Sequence, residues 1–521
     1  MDFFFFFLVN CLLCLFSFTF LGFLARKAAN NQTPAAKLPP GPARLPIIGN
    51  IHNLGLNPHK SLADLAKVHG PLMSLKLGQV TTIVASSPAV AKEILQKHDK
   101  LLSDRHITLA MEAGDIHKFG LPLLPVDSKW RNLRKVCNSY VFTPRKLDSN
   151  QDLRREKITE LLEGVRRNVC ERPGEAVEVG RLVFKASLNA LSSTILSMDL
   201  ADEATILSMD LADEATSEAA RQFKELASGM THEAGTPNLG DFFPFLAKFD
   251  LQGIQRRIRV HMEKALNLFE WLIDQRLRER KSESYVSAND VLDTLLAIND
   301  DAENREEVHM DLQRIKYLFL DLFVAGTDTT ATTLEWAMAE LLRNPKALTK
   351  LKEELDQTIG KENHLNESDI PRLPYLQAVI KEIFRLHPPL PLLLPHKAGV
   401  DVEIDGFTVP KGAQILVNLW AIGRDPMIWD DPNSFTPERF LGSEVDARGN
   451  HFELITFGAG RRICPGMSLA YRMLHMMLGS LVHWFDWKLP SGVKPEQLNM
   501  KEKFGVTLQK AKPLLAIPTL R

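Results

Sequence analysis

Phe457-Gly458-Ala459-Gly460-Arg461-Arg462-Ile463-Cys464-Pro465-Gly466 places three glycines, two arginines, a phenylalanine and a cysteine within ten residues. Glycines let a backbone turn sharply and come close to a flat partner. Arg461 and Arg462 can pair with carboxylates. Cys464 presents one sulfur among backbone N–H groups, a setting that favours a thiolate. With no second cysteine or histidine in the stretch it is a poor zinc site, because zinc takes four protein ligands or three plus water. One axial thiolate does suit a haem iron, whose in-plane ligands come from the porphyrin. A lone cysteine in a glycine-rich loop would read as structural; the complete decapeptide favours a flat metal cofactor.

Upstream, residues 310–343 carry apolar residues at helical spacing, and Asn344-Pro345 marks their end. The middle of this helix, Ala325-Gly326-Thr327-Asp328-Thr329-Thr330, is built of poor helix formers. Such local conflicts tend to mark functional sites. Asp328 and Thr329 offer a carboxyl and a hydroxyl within one turn, groups able to interrupt the backbone ladder and order a water. Residues 374–386 read as a helix ended by His387-Pro388, with Glu382 and Arg385 at ion-pair spacing. Trp130 and Arg134, four apart, share a helix face; on their own they read as a cationic surface helix with one buried tryptophan. Two hairpins are expected, 72–77 with 80–85 about Gly78-Gln79, and 400–409 about Asp405-Gly406.

The 521 residues carry a net charge of −1, with no long basic run, so nucleic acid is not an expected partner. The five cysteines form no disulfide framework, which points to a reducing compartment. Residues 3–25 are uncharged and rich in Phe and Leu. As a helix they would span about 34 Å, enough for a bilayer core. Arg26 and Lys27 follow at once, which places the bulk of the chain on the cytosolic side. The long apolar run and the charge on its C-terminal side favour a retained anchor over a cleaved signal peptide. The expected organisation is an anchor over 1–27, a stiff Pro-rich hinge over 28–50 containing Leu38-Pro39-Pro40-Gly41-Pro42, and a catalytic domain over 51–521. The sequons at Asn31 and Asn366 would then be unused. Residues 195–205 (ILSMDLADEAT) recur unchanged at 206–216; eleven residues advance a helix by nearly three whole turns, so a helix could absorb the insertion. Residues 241–246, with three phenylalanines about Pro244, read from the residues alone as core packing.

On these motifs the chain resembles the cytochrome P-450 monooxygenases. The decapeptide fits Phe-x-x-Gly-x-Arg-x-Cys-x-Gly at every fixed position, 325–330 fits the family's Ala/Gly-Gly-x-Asp/Glu-Thr-Thr/Ser, and Trp-x-x-x-Arg, Glu-x-x-Arg and Pro437-Glu438-Arg439-Phe440 follow in the right order. The resemblance implies a mainly α fold with a minor β region and an N-terminal transmembrane helix. It implies haem b ligated by Cys464, with Phe457 shielding the sulfur and Trp130, Arg134, His396 and Arg462 holding the propionates; many family members carry Arg where this chain has His396. It implies that Asp328 and Thr329 relay protons through water as dioxygen is split, and that Glu382, Arg385 and Arg439 form a buried structural triad. Phe323, Ala325, Leu392, Leu393 and Val506 are expected to touch substrate. For residues 241–246 the resemblance implies, with weight equal to core packing, a loop that roofs the substrate channel and touches the membrane. The implied partners are dioxygen, an apolar small molecule, the membrane and an NADPH–cytochrome P-450 reductase, with the protein in the endoplasmic reticulum membrane. The wording of the motifs is most similar to plant microsomal terpenoid hydroxylases of the geraniol 8-hydroxylase and ferruginol synthase group. Alkaloid or flavonoid oxidation is the alternative substrate class. A hydroperoxide-rearranging enzyme or a haem carrier would share the thiolate but would not need Asp328 and Thr329.

Overall fold

A computed structural model describes residues 37–200, 223–300 and 310–521. After a helix over Pro58–His69 come the hairpin strands β1 (Leu72–Leu77) and β2 (Val80–Ala85), paired antiparallel as their alternation and the Gly78 turn require. There follow β3 (Asp104–Arg105), α1 (Ser128–Val136), α2 (Val179–Leu196), α3 (Leu312–Arg343), α4 (Pro374–Leu386), β4 (His396–Lys397), β5 (Gln414–Val417) and α5 (Met467–Trp484). The architecture is mainly helical with small sheets. The largest sheet has the order β1-β2-β5-β4-β3, with β2 and β5 parallel and the other pairs antiparallel. Its last pairing sets Arg105 opposite His396. The second expected hairpin, Val402–Ile404 with Phe407–Val409, turns on Asp405 and Gly406, both at positive φ.

α3 runs for 32 residues, about 48 Å, through the core. Asp311 caps its start by accepting the Arg314 N–H at 2.8 Å. Phe319, Leu334, Trp336 and Met338 are fully buried where α2, α4 and α5 pack around it. The threonine-rich middle does not interrupt the helix. Thr327, Thr329, Thr330 and Thr333 each donate to the carbonyl four residues earlier, at 2.7–2.9 Å, so the hydroxyls satisfy themselves on the existing turn.

α4 carries the triad. Glu382 and Arg385 are fully buried, and both carboxylate oxygens take guanidinium N–H groups of Arg385 at 2.7 Å. Arg439 reaches Glu382 Oε1 at 3.1 Å. Arg385 also donates to the carbonyls of Pro432 and Ser434, which ties the chain ahead of the cysteine loop to α4.

The Pro-rich stretch is more than a spacer. Pro39 and Pro40 carbonyls accept from the Ser74 hydroxyl and N–H at 2.6 and 2.8 Å, and Asn50 binds both this stretch and Lys76. Gly41 lies so close to β1 that a Cβ there would stand 1.9 Å from the Ser74 carbonyl oxygen. Residues 37–50 are therefore docked along the sheet edge. The first copy of the eleven-residue repeat is not helical throughout: α2 stops at Leu196, Ser197 turns left-handed, and Asp199 pairs with Lys157 at 2.7 Å. The remainder of both copies, and the expected anchor at 1–27, lie outside the described residues. No helix among the described residues is long and apolar enough to cross a membrane.

Candidate active site

Between α3 and the cysteine loop lies a cavity holding about 1630 Å³ of empty space, its open mouth included. Two glycines shape the loop on one side. Gly458 and Gly460 take positive φ, and a Cβ on Gly460 would stand 2.0 Å from the Leu95 carbonyl oxygen. The turn closes with the Cys464 N–H on the Phe457 carbonyl at 3.0 Å, and the Phe457 ring stacks edge-on against Phe384 of α4. Cys464 faces the cavity with the N–H groups of Gly466 and Met467 on its sulfur. Burial pushes its thiol up from the ordinary value, opposed by those N–H groups and by Arg134. A metal bound there would invert that balance and hold the thiolate.

Four arginines line the same cavity; Arg154 pairs with Glu367 at 2.6 Å, and the other three make no ion pair among the described residues. Arg462 donates to the carbonyls of Ser103, Leu121 and Leu124 and lies over the Trp130 ring at 5.1 Å. Arg134, one turn after Trp130 on α1, donates to the Ile463 carbonyl. Arg105 donates to the Pro122 and Leu394 carbonyls at 3.0 and 2.7 Å. Burial pushes Arg105 down to about 9 and Arg462 to about 10. Buried cations paired only with carbonyls are costly, and a dianionic ligand at this edge would compensate them. This donor set, with a single thiolate and no group of His, Cys, Asp or Glu among the described residues able to hold a bare metal ion, fits haem.

His396 also lines the cavity but plays a different part from that expected of a cation. Its Nδ1 bonds the Leu102 carbonyl at 2.8 Å, and burial, then the charge of Arg105, hold its pKa well below the ordinary value. It is neutral at pH 7, and Arg105 across the strand pair supplies the positive charge. Arg105 carried no motif in the sequence; only the β3–β4 pairing brings it here.

On the α3 wall, Ala325, Gly326 and Thr329 face the cavity. Asp328 does not. It is turned by one helical step toward the C-terminal loop, where Thr507 and Gln509 donate to its carboxylate. Burial raises its pKa against those two bonds. Asp328 and Thr329 are thus adjacent in sequence but point to different surroundings. Of the expected substrate contacts, Ala325 and Leu393 line the cavity. Phe323 faces the other way, fully buried and stacked on Phe269 at 5.4 Å. Leu392 packs in a small cluster with Met73 and Leu75, and the Val506 backbone abuts Gly235. Helix periodicity explains the first; loop conformation, which no pattern in the sequence announces, explains the other two. Leu390 and Leu394, within the proline-bounded segment 390–395 that the resemblance places at the substrate pocket, line the cavity, as does Asp321, which was not singled out from the sequence. For Asp321 a signal existed: it precedes Ala325 by four residues, on the same helix face.

The Cytochrome P-450 family model matches residues 39–516. Geraniol 8-hydroxylase of Catharanthus roseus is 52% identical over 95% of this chain and 95% of its own length. The enzyme of the same name from Swertia mussotii is 52% identical over 96% of this chain and 95% of its own. Drimenol monooxygenase of Persicaria hydropiper is 47% identical over 94% of each. This family binds haem through a cysteine thiolate and works with dioxygen, an organic substrate and a redox partner. A match this complete, on a chain whose thiol at the cavity stands with three arginines that make no ion pair among the described residues, means that the chain belongs to the cytochrome P-450 family and is a monooxygenase.

Proposed function

We propose that this protein hydroxylates an apolar terpenoid, a mono- or diterpenoid, with haem held by Cys464 and electrons delivered from NADPH by a membrane-bound reductase. The observation that carries the reading is one cavity with apolar walls, to which Cys464, Arg105, Arg134, Arg462 and Thr329 all contribute. The names of the relatives, two geraniol hydroxylases and a drimenol monooxygenase, support the substrate class. Bound haem supplies the activation of dioxygen that a thiolate-ligated iron performs.

The chain's own residues do the rest. Arg105, Arg134 and Arg462 orient the carboxylates of the cofactor, and Trp130 backs Arg462. Thr329 donates its hydroxyl to the Ala325 carbonyl at 2.7 Å and so offers the cavity an acceptor that orders a water; to donate a proton into the cavity the hydroxyl first turns off that carbonyl. Asp328 is the acid of the proposed relay, placed behind this helix turn, where burial raises its pKa against the bonds from Thr507 and Gln509. Leu390, Leu393 and Leu394 keep bulk water out.

The anchor, hinge and catalytic domain over 1–27, 28–50 and 51–521 belong to the same reading, as does an endoplasmic reticulum location facing the cytosol. Exposed apolar side chains support the membrane assignment. Leu45 and Ile47 on one segment and Phe245, Phe249 and Leu251 on another are 48–70% exposed. Both segments meet at the β1–β2 turn, where Gly78 donates to the Ile48 carbonyl and Gln79 to that of Phe242. A patch of this kind marks a lipid or protein contact.

The test is expression in yeast microsomes with a reductase and a panel of mono- and diterpenoids. Product from a terpenoid, lost in Cys464→Ala together with the red-shifted Soret band of the reduced carbon monoxide complex, is expected. Thr329→Ala should keep that band but release peroxide in place of product. Clean product only from a phenolic alkaloid or flavonoid would overturn the terpenoid assignment.

A further inference from the structure

One carboxyl stands in the wall of the cavity. Asp321 lies on α3 four residues before Ala325 and eight before Thr329, and all three face the same space. Leu121 bonds it from the facing loop, and Leu318 and Leu322, which flank it along α3, line the same cavity. Oδ2 accepts the Leu121 N–H at 2.7 Å. Oδ1 has no hydrogen-bond partner among the described residues, yet it is not sealed into the protein. The chain opposite it is Gly120, where a Cβ would stand 3.0 Å from Oδ1. Burial, opposed only by the Leu121 amide, raises the carboxyl to about 8, so at neutral pH it carries its proton. A neutral acid with one free oxygen in an apolar wall lacks a hydrogen-bonding partner that a ligand can supply.

We propose that Asp321 anchors substrate by hydrogen-bonding the hydroxyl of an apolar alcohol, so that oxidation falls on the opposite end of the molecule. The inference refines the terpenoid reading above to terpenoid alcohols. Eight residues of helix separate Asp321 from Thr329, about 12 Å at 1.5 Å per residue. An acyclic monoterpenoid alcohol stretched along α3 covers a distance of that order. A hydroxyl next to the reacting carbon does not.

The experiment compares geraniol with the hydrocarbon bearing hydrogen in place of its hydroxyl, and with geranylamine. Dissociation constants are read from the ligand-induced Soret shift in wild-type, Asp321→Asn and Asp321→Leu holoenzymes. The reduced carbon monoxide spectrum and the melting temperature verify that each variant is folded. Wild type should prefer the alcohol over the hydrocarbon by about tenfold, the worth of one net hydrogen bond. Asp321→Leu should bring that ratio to within about twofold. Asp321→Asn should keep most of it, because the amide still accepts from Leu121 and donates to an alcohol oxygen.

A ratio unchanged in Asp321→Leu would overturn the anchor. So would equal weakening of alcohol and hydrocarbon in both variants, the mark of a loop-holding role alone. Geranylamine binding tighter than geraniol in wild type, with that advantage lost in Asp321→Asn, would reassign the carboxyl to a cationic substrate. If no terpenoid gives a Soret shift, the terpenoid reading fails, and 1-octanol against octane judges the anchor on the same ratio.

Discussion

Removing the carboxylate of Glu382 separates a buried lock from an ordinary helix ion pair. Glu382 and Arg385 sit three residues apart, a spacing that on a helix surface is worth about 0.2–0.5 kcal/mol. Here both side chains are 0% exposed. Glu382 accepts twice from Arg385 at 2.7 Å, once from the Thr436 N–H at 2.8 Å and once from Arg439 at 3.1 Å. In Glu382→Leu, Arg385 keeps its bonds to the Gly423, Pro432 and Ser434 carbonyls, but no anion remains to balance its charge. Breaking a buried pair in this way costs roughly 3–5 kcal/mol. Replacing both partners with Leu removes the stranded charge, so the double variant should lose about 2–3 kcal/mol less than the sum of the two single ones. The assay is urea unfolding followed by far-ultraviolet circular dichroism and by the Soret band in Glu382→Leu, Arg385→Leu and the double variant. Single-variant losses below about 1 kcal/mol, or strictly additive losses, would refute the lock and return the pair to the surface class.

Three further outcomes are expected. Arg105→Gln should speed loss of haem to an acceptor globin by about 10–100-fold, the worth of one charge-assisted hydrogen bond, while His396→Gln changes it less; equal effects would contradict the assignment of the charge to Arg105. Gly460→Ala forces a Cβ to 2.0 Å from the Leu95 carbonyl at a φ of 65°, and should abolish the red-shifted carbon monoxide band even where the polypeptide still accumulates. At Glu502, burial alone would raise the carboxyl, but hydrogen bonds from His59 and Lys60 outweigh it and hold the group at about 2. Its folded pKa is depressed, so its stabilisation is present above the ordinary value of 4.5 and is lost as pH falls toward 2. The gap in melting temperature between wild type and Glu502→Gln should therefore be full at pH 6 and close in acid; a constant gap would contradict it.

Much of this protein is legible along the chain because its signals are local. The glycine-rich loop needs a backbone that only glycine adopts cheaply, so its geometry is written where it occurs, at Gly458 and Gly460. The hairpin about Gly78 and the stop of α3 at Asn344 follow from turn and cap chemistry in the same way. The residue types of 325–330 announce that this helix turn is special, although its threonines satisfy their hydroxyls on the backbone and leave the helix unbroken.

What the sequence by itself determined is the chemistry: one cysteine in a turn that exposes its sulfur, a hydroxyl on a facing helix, and a family that uses both with haem. Tertiary structure decided which way the neighbours of those residues point. Asp328 and Thr329 are consecutive, and a helical step of about 100° sends one to Thr507 and the other to the cavity. His396 is neutral because burial strips its charge, and Arg105, nearly three hundred residues away along the chain, provides the charge through a two-residue strand pairing. The Pro-rich segment is docked because Gly41 lets it lie against Ser74, a contact that neither residue advertises. Burial and long-range pairing are properties of the assembled fold, so the electrostatics of the site appear only once the chain has closed on itself.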